Sequence, residues 1–135
     1  MLDKPITLLG CDRDMVAPSI NTLVKWCHQC AVKQNWWHDV KTGKPLERNH
    51  GEMIALIHSE LSECLEALRK NSMDKHLPHR HGEEVELADA VIRIFDYAGG
   101  RNLDLGGAIF EKMVFNSVRD DHKPEVRQGK YGKKF

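Results

Sequence analysis

Apolar positions between residues 50 and 70 recur at helical spacing. At ~100° per residue, Ile54, Ile57, Leu61, Leu65 and Leu68 fall on one stripe, which predicts the core-facing side of an α-helix. His58, Ser59, Ser62, Glu66, Arg69 and Lys70 collect on the opposite side, where water is expected. Glu60 and Glu63 join neither group; they fall among Met53, Leu56 and Ala67, on the flank of the apolar stripe. Residues 83–98 have the same period with wider apolar cover. Val85, Leu87, Ala88, Ala90, Val91, Ile92, Ile94, Phe95 and Ala98 predict a helix buried nearly all round. One narrow polar stripe is left on it, carrying Glu86, Asp89, Arg93 and Asp96. Polar groups on such a helix must be paired or must line a site.

The remaining chain supplies further helices and their punctuation. Asn49 with Glu52 three residues on forms a capping box that starts the first acidic helix, which should end near Asn71. Gly99-Gly100 predicts the stop of the second. Upstream, Pro18 suits a first helical turn, and Ile20, Leu23, Val24, Cys27 and Ala31 carry that helix to about Asn35. Residues 1–17 show no sustained period and predict an arm that packs across a neighbouring subunit. Gly43 and Pro45 mark a loop, as do Pro78, Gly82 and the His76, His79 and His81 cluster between the acidic helices. Asp104 predicts the cap of a last helix over about 105–120, on which Lys112, Asn116 and Arg119 share a face. Residues 122–135 read as a basic tail, and no segment reads as a strand. The predicted fold class is all-α, a small helical bundle.

Length and charge narrow the function. The chain has 135 residues, enough for one domain over 1–135 with a real core. Twenty Lys plus Arg balance twenty Asp plus Glu, which argues against binding a nucleic-acid polymer. No apolar run is long enough for a bilayer and the N-terminus lacks a signal-peptide pattern, so no membrane partner is expected. The expected location is the cytoplasm, or the host cytoplasm for a virus-encoded protein. Cys11, Cys27, Cys30 and Cys64 read as reduced thiols acting as small hydrophobes. The Cys27/Cys30 pair sits within a helix rather than in the turn that a zinc knuckle uses, which counts against zinc.

The chemistry lies in the ordered pairs Glu60-Leu-Ser-Glu63 and Glu86-Leu-Ala-Asp89. Packed helix against helix, each i, i+3 pair projects from adjacent turns. Converging carboxylates repel and tend to hold protons; divalent cations remove that cost. Hard oxygen ligands suit Mg²⁺, with Mn²⁺ as a substitute. A di-iron bundle would need two Glu-x-x-His motifs projecting inward. The single instance, Glu47 to His50, straddles a helix start.

An ExxE pair, a spacer and an ExxD pair resemble the MazG-like, all-α nucleoside triphosphate pyrophosphohydrolases, in a short single-domain form. The stretch from Ile54 to Ala67, the run EEVELADAVIRIFDYAG and the segment EKMVFNSVRDDHKP through to the GKKF ending carry the resemblance. It implies hydrolysis of (deoxy)nucleoside triphosphates to monophosphate and pyrophosphate, by water attack at the α-phosphate. Glu60, Glu63, Glu86 and Asp89 would be the Mg²⁺ ligands, with Glu63 as the catalytic base. Lys112, Asn116 and Arg119 would clamp the phosphates, with Arg93, Asn49 and Arg48 as further contacts and Trp37, ahead of Trp36, stacking on a base. Lys130, Lys133 and Lys134 are candidates to fold over the triphosphate. A homo-oligomer, dimer or tetramer, would complete the pocket. Phosphoribosyl-ATP or dUTP specificity within the same superfamily, and a catalytically silent metal-stabilised binding module, are the alternatives.

Overall fold

The computed structural model describes residues 13–131, and their regular structure is all helical. Helix α1 spans Arg13–Lys33, α2 His50–Lys70, α3 Gly82–Gly100 and α4 Leu105–Val118; a 3₁₀ turn, Asp120–His122, leads to the short α5, Pro124–Arg127. Among the described residues the extended pairings are isolated bridges, His38 with Pro45 and Met73 with His81. No helix among them is long and apolar enough to cross a membrane. The chain falls into two compact units: Leu23–Leu103, and residues 13–22 together with 104–131.

Several helix ends follow from local chemistry. The Glu52 amide donates to the Asn49 side chain at 3.1 Å, fixing the start of α2. At its other end Asn71 takes a left-handed conformation (φ 49°), and its amide returns to the carbonyls of the last turn. Asp104 caps α4 by accepting from the Gly107 amide at 3.0 Å.

Other ends differ from the sequence expectation. Helix α1 begins at Arg13, so Pro18 lies inside it and residues 13–17 of the expected arm are helical; residues 1–12 lie outside the described residues. Proline costs the helix one donor, and two hydroxyls beside it bond back to helix carbonyls, Ser19 to Met15 at 2.7 Å and Thr22 to Pro18 at 2.8 Å. Helix α3 runs through Gly99 and Gly100 rather than stopping before them. A Cβ at Gly99 would stand 2.5 Å from His28 Cβ, and one at Gly100 would enter the Trp37 ring. These glycines permit close approach inside a helix. Helix α4 stops at Val118, two residues early, and part of the expected tail is helical.

The extensive helix–helix contact is α2 on α3. Met53, Glu60 and Ala67 of α2 and Gly82, Ala90 and Ala98 of α3 are buried. Small residues set this face: a Cβ on Gly82 would lie 2.9 Å from Ala67 Cβ. The face of α2 turned to α3 is therefore the flank holding Glu60. The stripe of larger residues expected to face the core is largely open, with Ile54 at 40%, Leu61 at 45% and Leu65 at 57% exposure. Nor is α3 buried all round, since Leu87, Val91 and Ile92 are exposed. Two helices packed through small residues leave their far sides uncovered.

Candidate carboxylate centre

Glu60 and Glu63 lie one turn apart on α2, and Glu86 faces them from α3. Each offers a carboxylate oxygen, and the three oxygens lie within 4.8 Å of one another. Glu60 is 8% exposed, an acid in a position its sequence neighbours would fill with apolar side chains. Arg93, two turns beyond Glu86 on α3, donates from Nε to Glu60 Oε1 at 2.6 Å. One guanidinium among these acids leaves net negative charge. Burial pushes the Glu86 carboxyl above its ordinary range, and the charge of Glu63, a hydrogen bond with Glu60 and the charges of Glu60 and Asp89 push it further. A hydrogen bond between two carboxyls requires a shared proton. Asp89 is also raised, first by burial and then by Glu60, with Arg93 opposing.

Such a cluster fits a hard divalent cation. Octahedral Mg²⁺ with ligands at ~2.1 Å places opposite oxygens ~4.2 Å apart, so small side-chain shifts would bring these oxygens onto one ion. All the donors are carboxylate oxygens, which disfavours the soft metals. Asp89 stands one turn after Glu86 and is not within this closest group.

A cavity of about 550 Å³ adjoins the carboxylates and shares Glu60, Asp89 and Arg93 with them. Trp36, Arg48 and Gln34 also line it, with the apolar Met53, Leu56 and Ile92 and, from α3, Asp96. The aromatic side chain on the cavity is Trp36, 61% exposed. Trp37 is committed elsewhere: its indole N–H donates to Asp96 Oδ1 at 2.8 Å, the Arg48 guanidinium sits 5.3 Å from its ring centre, and His28 meets it edge-on at 5.0 Å. Arg48 also donates to the Trp36 carbonyl. Asn49 is occupied as the α2 cap. Cys27 and Cys30 are free thiols on the cavity wall, with Cys30 exposed rather than packed as a small hydrophobe.

The structure does not keep Lys112, Asn116 and Arg119 on one helical face. All three belong to the unit containing residues 104–131. Arg119 follows the end of α4 with extended backbone (φ −66°, ψ 130°). Its guanidinium makes a two-pronged pair with Asp121 at 2.9 and 2.6 Å. Lys112 and Arg119 both sit over the Phe115 ring, at 4.7 and 5.7 Å. The Asn116 amide oxygen is buried without a hydrogen-bond partner among the described residues. Lys130 is exposed, and Lys133 and Lys134 lie outside the described residues.

Sequence reasoning passed over the group around Asp96. Its partners Trp37 and His28 lie 59 and 68 residues away in sequence, and no local spacing announces them. Among known proteins, no family model matches this chain, and neither does any curated protein or solved structure.

Proposed function

We propose that the chain is a Mg²⁺-dependent nucleoside triphosphate pyrophosphohydrolase of the MazG-like kind, releasing monophosphate and pyrophosphate. The observation that carries this reading is the convergence of Glu60, Glu63 and Glu86 within 4.8 Å, beside a cavity that shares Glu60. Glu60, Glu63, Glu86 and, from the next turn, Asp89 would hold the metal. When bound, Mg²⁺ would neutralise phosphate charge and acidify a water in its shell. Glu63 is the exposed member of the three and is assigned the proton from the attacking water. Arg93 holds Glu60 in place and offsets part of the charge while no substrate is bound. The cavity takes the nucleoside, with Trp36 as the stacking surface rather than Trp37. Lys112, Asn116 and Arg119 enter as phosphate contacts on the resemblance alone.

The exposed stripe of α2 and the exposed Leu87 and Val91 of α3 support a homo-oligomer, in which a second copy covers apolar surface that one chain leaves in water.

The purified protein, incubated with each common dNTP and NTP in Mg²⁺, should give monophosphate plus pyrophosphate. EDTA should abolish turnover, and Glu63→Gln should lower kcat by 10²-fold or more, within the range ascribed to a general base. Diphosphate plus orthophosphate would show cleavage at the wrong bond, and full activity of Glu63→Gln would remove its role as base.

A further inference from the structure

The cavity that Trp36 lines also carries a carboxylate, Asp96, whose orientation two donors fix. Asp96 accepts from the Trp37 indole N–H at 2.8 Å, and His28 Nδ1 lies 2.9 Å from the same oxygen, Oδ1. A carboxylate oxygen accepts, which assigns the donor role to the His28 Nδ1–H tautomer. The donors are themselves held. His28 backs onto Gly99 and Trp37 onto Gly100, the two glycines inside α3 that leave room for these rings. Both donors use Oδ1, so Oδ2 is the oxygen with capacity to spare. Asp96 is 16% exposed at its side chain, and it lines the cavity.

Asp96 is also placed at a telling distance. It follows Asp89 by seven residues on the same face of α3, about 10 Å along the helix axis. With the carboxylates holding the phosphate end, a nucleoside lying along the cavity would present its base near Asp96. Trp36 and Arg48 stand on the same cavity.

Resting on the pyrophosphohydrolase reading, we infer that Asp96 selects the base: its free oxygen accepts from an exocyclic amino group and repels a carbonyl oxygen in the same place. Nucleotides of cytosine are then favoured over those of uracil, which carries a carbonyl where cytosine carries the amino group. A site built to bond a polar substrate group discriminates strongly against an analogue that leaves it unpaired.

Asparagine at this position is the sharpest test. Asp96→Asn keeps Oδ1 for Trp37 and His28 but turns the other atom of the group from an acceptor into a donor. Binding of dCMP and dUMP is measured by calorimetry on wild type and variant, alongside kcat/KM for dCTP and dUTP in Mg²⁺. Circular dichroism confirms that the variant is folded. Wild type should favour the cytosine nucleotide about tenfold or more in both assays. The variant should lose or invert that preference. An equal loss on both bases would assign Oδ2 to a sugar hydroxyl and overturn base selection by Asp96, as would an unchanged preference. If dCMP and dUMP bind with the predicted preference while no triphosphate is cleaved, the base assignment stands and the hydrolytic reading falls. Failure of wild type to bind either monophosphate at millimolar concentration would overturn the assignment whether or not triphosphates turn over.

Discussion

Replacing Gly100 with alanine should destabilise the protein, against the usual effect of that change. In an open helix the gain would be up to ~1 kcal/mol, because alanine is the better helix former. Here the new Cβ would fall against three atoms of the Trp37 ring, the farthest at 2.9 Å. If the ring stays, the overpacked contact costs ~1–3 kcal/mol. If it swings away, it gives up its 2.8 Å bond to Asp96, a largely buried carboxylate, at ~1.5–3 kcal/mol. Only the smaller of the two costs is incurred, ~1–3 kcal/mol, and subtracting the helix gain leaves a net loss of up to ~2 kcal/mol. Urea unfolding followed by far-UV circular dichroism would show this as a lower midpoint at unchanged slope. The control is the same change in a Trp37→Phe background, where the outer ring atoms are gone and Gly100→Ala should stabilise. The two substitutions should then couple by ~1–3 kcal/mol, within the range for a pair in contact. A rise in the midpoint for Gly100→Ala alone, or coupling below ~0.5 kcal/mol, would refute the packing of Trp37 against α3.

Two further outcomes are expected. The carboxyls of Glu86 and Asp89 are held above their ordinary values of 4.5 and 3.8. The folded state therefore binds their protons more tightly than the unfolded chain, and the stability they contribute is present at low pH and lost as pH rises through the folded values. In EDTA, Glu86→Gln should gain on wild type in melting temperature as pH climbs from about 4 towards neutrality, and Mg²⁺ should close the gap by stabilising wild type alone; a difference independent of pH would contradict the repulsion. Leu65→Asp, at a position 57% exposed in the single chain, should convert an oligomer into monomer by light scattering, whereas a wild type that is already monomeric at micromolar concentration would show that no second copy covers this face.

The elements legible in the sequence were those whose causes are local. Asn49 and Asp104 were each expected as helix caps, and each accepts from the amide three residues on, Glu52 and Gly107. The face that α2 buries was not legible. A helical wheel ranks faces by side-chain size, whereas packing against α3 selected the flank where Ala67 meets Gly82. That same choice is what carries Glu60 inside, so the acid that looked misplaced beside the large stripe lies on the buried face. Gly99 and Gly100 carry an ambiguous signal, since a helix stop and a close approach both favour glycine; only the distant His28 and Trp37 decide between them. Arg119 reads as a continuation of the α4 face, yet it lies past the helix end with extended backbone and pairs with Asp121, two residues on. Trp36 and Trp37 are adjacent and chemically alike, and a bond to a carboxylate 59 residues away separates their roles.

The most direct test of the account is hydrolysis of a nucleoside triphosphate in ¹⁸O-labelled water with Mg²⁺, with the products weighed by mass spectrometry. Attack at the α-phosphate, organised by the carboxylates of Glu60, Glu63 and Glu86, predicts one ¹⁸O in the monophosphate and none in the pyrophosphate. Label in the pyrophosphate would place the attack at the β-phosphate, and no turnover of any nucleotide would contradict the catalytic reading of this centre altogether.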